Sequence, residues 1–225
     1  MEYLLDTVNL ARIEEMVECL PIDGVTSNPS IIKNDGVQDF FEHMREIRSI
    51  IGNERTLHIQ VTAQDVDGML RDAEKILEKI DEHVYIKVPT TMEGLKVIKQ
   101  LKGQNIHVTA TAIYTLTQCL LAVKAGVDYL APYYNRMEGL NINSEQVIQQ
   151  CRQMIDQSQS SAKILAASFK NISQVNKAFI AGAQSVTLDP SLIEAALNMP
   201  DITKAVNDFE ADWLIANNNK FLYMD

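Results

Sequence analysis

A lysine lies in the middle of an otherwise apolar segment, Val84–Pro89. Lysine is seldom fully buried unless it is paired or has a chemical role. Removal from water lowers the pKa of the amine, and a neutral amine at pH 7 can attack a carbonyl group to form a Schiff base. The structural alternative is a lysine at a strand end that reaches solvent or forms an ion pair. Lys87 is therefore the first candidate for a nucleophile.

Polar side chains also end other short apolar segments of the chain. Besides Lys87, the set comprises Asp6, Thr26, Asn28, Gln60, Thr111, Tyr133 and Ser168. Asp6 could cap the helix that follows it, as aspartate often does. Asn9 is available for that cap, which favours a functional role for Asp6. Ser168 has no histidine at matching depth, so a serine hydrolase is not expected.

Strand-like and helical patterns alternate eight times along the chain. The predicted strands cover residues 3–6, 24–28, 56–61, 84–88, 106–111, 129–133, 163–168 and 185–188. The predicted helices cover residues 9–20, 40–51, 65–80, 92–101, 115–125, 144–157, 173–181 and 191–197, with apolar residues at spacings of three and four. The alternation predicts a parallel sheet, and eight units favour a closed barrel. We therefore predict an α/β fold, a single-domain (β/α)8 TIM barrel.

The barrel accounts for residues 1–200, and residues 201–225 remain as an extra C-terminal helix and a tail. The helix is predicted over about 202–216, with Phe209 and Trp213 one turn apart on its surface. The tail behind it is rich in aromatic residues. We expect this segment to belong to the same domain and to pack on the barrel or on a neighbouring subunit.

In such a barrel the active site lies at the carboxyl ends of the strands, which we call the barrel mouth. Side chains two positions apart share one face of a strand. This parity points Lys87 inward, and also Ala166 together with Ser168. His58 and His107 fall deeper inside, and we interpret them as core histidines rather than metal ligands. No metal and no cofactor is expected.

The charge balance excludes several function classes. The chain has 225 residues, with 20 basic and 30 acidic side chains, a net charge of -10 and no basic cluster. Such a field repels nucleic acid and anionic lipid. No apolar run is long enough to span a membrane, and the N-terminus does not read as a signal peptide. Three separated cysteines indicate thiols in a reducing cytoplasm, where we expect the protein to reside.

Two segments resemble signatures of the transaldolase family, namely Gly24–Ile32 and Lys87–Gly94. The resemblance continues in Ala131–Arg136 and Leu165–Lys170, and it runs from position 3 to about position 213. Two signatures in the correct order, each at a predicted strand end, are more specific than either alone. The compact chain is similar to the small-subunit branch, which includes fructose-6-phosphate aldolases.

The resemblance implies reaction roles for five residues. Lys87 matches the lysine that forms the Schiff base, and Asp6 matches the aspartate that handles protons. Thr111 and Gln60 match positions that hold the catalytic water. Tyr133 adds a phenol that can donate a hydrogen bond to that water. Alternatively, Tyr133 is a packing aromatic residue whose hydroxyl only incidentally finds a hydrogen-bond partner.

The resemblance also implies a set of substrate contacts. Asn28 matches the amide that binds the hydroxyls of a three-carbon donor, and Thr26 is expected beside it. Arg136 and Ser168 match phosphate binders, and Lys170 matches a further basic position. These cations would supply a local positive charge that the acidic chain otherwise lacks.

The branch of the family depends on fewer positions. Transaldolases resemble one another in having Phe, Glu and Asn where this chain has Tyr133, Gln60 and Thr109, whereas Tyr133 and Gln60 match the aldolase pattern. We therefore expect a class I aldolase that splits fructose 6-phosphate reversibly into dihydroxyacetone and glyceraldehyde 3-phosphate.

Two alternatives remain open. One is a transaldolase, which would move a dihydroxyacetone unit from sedoheptulose 7-phosphate or fructose 6-phosphate to an aldose phosphate. The other is a barrel that binds sugar phosphates without catalysis. The resemblance further implies a homo-oligomer, a ring that could stack as pentamers. The acidic charge balance, in turn, leads us to expect no nucleic-acid or membrane partner.

Overall fold

Eight parallel strands pair in chain order and close into a barrel, as the alternating pattern predicts. We describe residues 1–224 from a computed structural model. The strands are β1 (Glu2–Asp6), β2 (Gly24–Thr26), β3 (Thr56–Gln60), β4 (Tyr85–Pro89), β5 (Val108–Ile113), β6 (Tyr129–Pro132), β7 (Lys163–Ala166) and β8 (Ser185–Leu188). The fold is therefore an α/β TIM barrel, and the pairing of β8 with β1 closes it.

Helices connect the strands and continue after the last one. They are α1 (Leu10–Cys19), α2 (Pro29–Asp35), α3 (Phe40–Ile51), α4 (Val66–Lys79), α5 (Met92–Gly103), α6 (Leu116–Ala125), α7 (Tyr134–Gly139), α8 (Ser144–Gln157), α9 (Ile172–Ile180), α10 (Pro190–Leu197) and α11 (Pro200–Ala216). The chain divides into two compact units, and the boundary along the sequence falls between Pro190 and Ser191. Among the residues described, no helix is both long and apolar enough to cross a membrane.

Side chains at the helix starts explain where several helices begin. Asn9 Oδ1 accepts a hydrogen bond from the Arg12 backbone N–H at 3.1 Å and caps α1. Asp65 caps α4 in the same way, with its Oδ1 2.8 Å from Gly68 N. Such caps satisfy N–H groups that have no partner within the helix. Since Asn9 caps α1, Asp6 is left for another role, as expected.

Apolar and aromatic side chains fill the barrel below its mouth. Leu4, Tyr129 and Leu165 pack together inside, and Tyr85 packs against them. His58 stacks on Tyr85 with 4.7 Å between ring centroids. The inward position of Tyr85 confirms the predicted parity of β4, which also directs Lys87 inward.

The predicted parity of β7 is wrong. Leu165 points into the barrel, so the neighbouring Ala166 faces the helices. The strand ends at Ala166, and Ser168 lies beyond it with a φ of 64°. This left-handed residue breaks the alternation on which the prediction depended. The expected inward pair of Ala166 and Ser168 therefore does not exist.

Two short helices and several strand boundaries also differ from the prediction. Helix α2 follows β2 directly, with Asn28 as its cap and Pro29 in its first turn. This cap and proline are a helix-start signal that the sequence carried. Helix α7 begins at Tyr134, where the predicted strand ended one residue earlier. Strand β5 ends at Ile113 rather than residue 111, because its register shifts between Ala110 and Ile113.

The second unit contains most of α10, helix α11 and the chain after it. The Trp213 indole N–H donates to the Lys220 carbonyl oxygen at 2.9 Å, which turns the chain back along α11. Beyond that turn, the rings of Phe221 and Tyr223 stack with 5.6 Å between centroids. Phe209 is exposed on α11.

Candidate active site

Lys87 lies on β4 between two buried aliphatic residues, and only 5% of its surface is exposed. Its Nζ donates a hydrogen bond to the Ser27 carbonyl oxygen at 2.7 Å. Among the residues described, no carboxylate oxygen lies within 4.0 Å of this Nζ. Burial lowers the pKa of the amine, and the charge of Asp6 opposes that shift. The amine is thus largely shielded from solvent and forms no ion pair with a described carboxylate, which argues against both forms of the structural alternative.

Asp6 ends β1 beside β2, and three oxygen-bearing side chains form a chain of hydrogen bonds there. The Thr26 hydroxyl donates to Asp6 Oδ1 at 2.7 Å and lies 2.7 Å from the Thr187 hydroxyl. Because an ionised carboxylate can only accept, Thr26 donates to Asp6 and Thr187 donates to Thr26. Burial raises the pKa of Asp6, while Lys87 and the Thr26 hydrogen bond oppose the shift. A raised pKa makes a carboxylate a better proton acceptor than an ordinary aspartate.

Thr111 and Tyr133 meet at the mouth from adjacent strands. Their hydroxyl oxygens are 2.9 Å apart, and Tyr133 follows β6 in an isolated bridge with Ala167. Burial raises the pKa of Tyr133, so its phenol keeps its proton at neutral pH. The structure therefore places a phenol and a hydroxyl together, as the predicted water-holding positions require.

Gln60 is the β3 residue directly opposite Lys87 in the strand pairing. Its Oε1 atom is buried and has no hydrogen-bond partner within residues 1–224. Buried side-chain oxygens are normally satisfied, so this acceptor is suited to a hydroxyl of a bound molecule. Gln60 also lines a cavity of about 370 Å³, together with Ser27 and Asn28. This cavity adjoins the residues around the amine.

Asn28 and Ser168 lie just beyond the ends of β2 and β7, and both form hydrogen bonds with backbone groups. Asn28 Oδ1 accepts from the backbone N–H groups of Ser30 and Ile31, at 3.0 and 3.1 Å. Only the Nδ2 group of Asn28 is therefore left to donate to a ligand. Ser168 accepts at its carbonyl oxygen from Asn135 N at 3.0 Å, which joins the loops after β6 and β7.

Two cations follow β6 and β7, namely Arg136 on helix α7 and Lys170 in the loop before α9. The Arg136 guanidinium carbon is 4.7 Å from the centroid of the Tyr133 ring, and its Nη1 donates to the Tyr114 hydroxyl at 3.4 Å. Lys170 is exposed, and its backbone N–H donates to Gln174 Oε1 at 2.7 Å. In the described part of the chain, neither cation has a carboxylate oxygen within 4.0 Å. Both charges are therefore available to an anion.

His58 is a buried histidine on β3, and core side chains occupy both of its ring nitrogens. Its Nδ1 is 2.8 Å from the Thr109 hydroxyl, and its Nε2 is 3.0 Å from the Thr56 hydroxyl. Burial lowers the pKa of His58 well below its ordinary value. The ring is neutral at pH 7, which agrees with the interpretation as a core histidine.

Three site residues were absent from the sequence prediction. Thr187 lies near the end of β8, opposite the inward-pointing Leu4, and the polar strand ends predicted from the sequence did not include β8. Tyr114 follows β5, and the predicted boundary of that strand hid it. Ser27 contributes a backbone carbonyl, for which no side-chain pattern exists.

Comparisons with known proteins identify the family of this chain. The family model Transaldolase/Fructose-6-phosphate aldolase matches residues 3–224. The chain is also 52% identical over 220 residues to a probable fructose-6-phosphate aldolase of Streptococcus pneumoniae (strain ATCC 700669 / Spain 23F-1), which covers 98% of this chain and 99% of that protein. Both matches extend over the barrel and all the site residues described above. The chain therefore belongs to the transaldolase/fructose-6-phosphate aldolase family.

Proposed function

We propose that this protein is a class I aldolase that splits fructose 6-phosphate reversibly into dihydroxyacetone and glyceraldehyde 3-phosphate. The observation that carries the proposal is the environment of Lys87. Its buried amine donates to a neutral carbonyl oxygen, and burial lowers its pKa. A neutral amine is the form that attacks a ketone.

In the proposed reaction, Lys87 Nζ attacks the C2 carbonyl of the open-chain ketose. The carbinolamine loses its hydroxyl as water and becomes an iminium ion. A base then removes the proton of the C4 hydroxyl, the C3–C4 bond breaks, and its electron pair moves to the iminium nitrogen. Glyceraldehyde 3-phosphate leaves, and an enamine remains on Lys87.

The second half of the reaction returns the enzyme to its starting state. The enamine takes a proton at C3, and water hydrolyses the resulting iminium ion to release dihydroxyacetone. Asp6 has the raised pKa that an acid–base group requires, and Thr26 orients it. The Thr111 and Tyr133 hydroxyls, 2.9 Å apart, would orient the water.

The phosphate end of the substrate would lie toward Arg136, Ser168 and Lys170. Arg136 and Lys170 carry charges that no carboxylate neutralises within the residues described. Guanidinium groups present several N–H donors to the oxygens of one phosphate. Asn28 Nδ2 and Gln60 Oε1 would contact hydroxyls at the other end of the donor.

Trapping of the Schiff base tests this proposal. We expect borohydride with dihydroxyacetone to leave a reduced adduct on Lys87, located by mass mapping of peptides. Lys87→Met should abolish the adduct, and Lys163→Met, on strand β7, should retain it. An equal adduct in Lys87→Met would refute the Schiff-base reaction, and no adduct in the wild type would favour a barrel that only binds sugar phosphates.

A second assay separates the aldolase from a transaldolase. Tyr133 and Gln60 support the aldolase, as does the name of the pneumococcal relative. We expect fructose 6-phosphate alone to yield glyceraldehyde 3-phosphate continuously. Release that requires erythrose 4-phosphate as acceptor would assign the transaldolase activity instead.

We also propose that the chain assembles as a homo-oligomer through its C-terminal segment. Phe209 is 72% exposed and Trp213 38% exposed on α11, which is unusual for large aromatic side chains of a monomer. Deletion of residues 215–225 should reduce the sedimentation coefficient at a protein concentration at which the full chain is assembled. Unchanged sedimentation of the shortened chain would contradict this proposal.

A further inference from the structure

The tyrosine that follows β5 lies beside the cation expected to bind phosphate. We propose that Tyr114 is a positioning residue that, together with the ring face of Tyr133, holds the Arg136 guanidinium at the barrel mouth and thereby sets the preference for phosphorylated over unphosphorylated substrates. The inference rests on the proposed function, since it takes phosphate to be the anion that Arg136 meets.

The three side chains form one continuous contact. The guanidinium lies over the Tyr133 ring at 4.7 Å, within the range of a cation–π interaction. Its Nη1 donates to the Tyr114 hydroxyl at 3.4 Å. The rings of Tyr114 and Tyr133 meet edge to face, with 5.6 Å between centroids and 74° between planes. Arg136 is therefore bounded by one aromatic face and one phenol oxygen.

The loop that carries Tyr114 is itself held in place. The Tyr114 backbone N–H donates to Gln118 Oε1 at 3.0 Å. The Nε2 group of Gln118 donates to the carbonyl oxygens of Thr90 and Ala112, both at 3.1 Å. These bonds tie the backbone at Tyr114 to α6 and to the residue after β4, and the edge-to-face contact with Tyr133 restricts the ring that carries the hydroxyl.

Positioning matters here because Arg136 is exposed. A free arginine side chain loses rotamer freedom when a ligand fixes it. Contacts that restrict the side chain before binding reduce this loss. The guanidinium keeps further N–H groups for a phosphate, since it has five donors and only one is used by Tyr114.

Tyr133 would then have two separable functions. Its ring face supports Arg136, whereas its hydroxyl meets Thr111 at 2.9 Å. Tyr133→Phe keeps the ring and removes the hydroxyl, and Tyr133→Leu removes both. We therefore expect phosphate affinity to survive in Tyr133→Phe and to fall in Tyr133→Leu.

Binding of glycerol 3-phosphate, measured by calorimetry, tests the inference without the chemistry of Lys87. This ligand has no carbonyl group and forms no Schiff base. We expect about fivefold weaker binding in Tyr114→Leu, and about twofold in Tyr114→Phe, which loses the hydroxyl alone. Tyr3→Leu, at the opposite end of the barrel, is the matched control and should bind as the wild type does.

A double-mutant cycle shows whether Tyr114 acts through Arg136. Tyr114→Leu should cost no further affinity in an Arg136→Gln background. Kinetics in the direction of synthesis add a second measurement, in which Tyr114→Leu should raise the KM for glyceraldehyde 3-phosphate about fivefold but leave the KM for glyceraldehyde and both kcat values unchanged. A merely structural role would change both substrates equally.

Three results would overturn the inference. One is an undiminished affinity in both Tyr114 variants, and another is the same loss with and without Arg136. The third is a wild type that does not bind glycerol 3-phosphate although Lys87 forms the adduct, which would leave the Schiff-base reaction standing. Thermal melting identifies a variant that fails to fold, and Tyr114→Phe then carries the test.

Discussion

The hydrogen bonds around Asp6 allow a quantitative test of how the barrel holds a buried carboxylate. Thr26→Val replaces the hydroxyl by a methyl group of nearly the same shape. It removes the 2.7 Å bond to Asp6 and leaves the Thr187 hydroxyl, which is 1% exposed, without the acceptor that it meets at 2.7 Å. The change therefore isolates the contribution of one hydroxyl.

The expected loss follows from these two contacts. A hydrogen bond to a charged group contributes about 1.5–3 kcal/mol, and a buried donor left unsatisfied costs about 1–3 kcal/mol. Because such contributions overlap, we expect Thr26→Val to lower the free energy of unfolding by about 2–4 kcal/mol at pH 7. In an Asp6→Asn background the bond joins neutral groups, and the loss should fall to about 1–2 kcal/mol.

Urea denaturation of the four proteins at one protein concentration measures this coupling. We expect a coupling energy of about 1–2 kcal/mol at pH 7 with an unchanged m-value. An equal loss from Thr26→Val in both backgrounds would refute the reasoning, since Thr26 would then not act on the charge of Asp6.

The dependence on pH supplies an independent check of the same cycle. Burial raises the pKa of Asp6 in the folded protein. Its protonated form is therefore favoured by folding, and this contribution is lost as the pH rises through the folded-state pKa. The Thr26 bond stabilises the ionised form, so the loss in Thr26→Val should shrink as the pH falls through that pKa.

Two further predictions concern the lysine and the helix behind it. The charge of Asp6 opposes the lowering of the Lys87 pKa, so Asp6→Asn should move the acidic limb of adduct formation with dihydroxyacetone to lower pH; a limb that moves to higher pH would contradict this. Gly94→Ala would place a Cβ 1.8 Å from the Pro89 carbonyl oxygen, whereas a Cβ at Gly103 has no atom within 4 Å. We expect Gly94→Ala to lower the free energy of unfolding by at least about 1–3 kcal/mol, measured by urea denaturation, with Gly103→Ala as the control; equal stabilities of the two variants would contradict the reasoning.

The sequence allowed the barrel to be predicted because its signals are local and repeated. Strand and helix patterns alternate eight times, and eight such units favour a closed barrel over an open parallel sheet. The alternation of side chains along a strand predicted that Lys87 points inward, and the regular pairing of β4 preserves this alternation. The prediction failed at β7, because it assumed regular alternation up to Ser168, whereas the strand ends at Ala166 and Ser168 has a φ of 64°.

The chain by itself determined which residue types could do the chemistry and the end of the barrel at which they meet. Only the tertiary structure decided what each one contacts. Thr26 and Thr187 are 161 positions apart in sequence, and they meet only because β8 pairs with β1. The partner of Lys87 is the Ser27 carbonyl oxygen, which every residue type carries. The physical reason is that side-chain patterns encode which face of an element is buried, whereas backbone acceptors and contacts across the closed barrel arise only when all eight strands are in place.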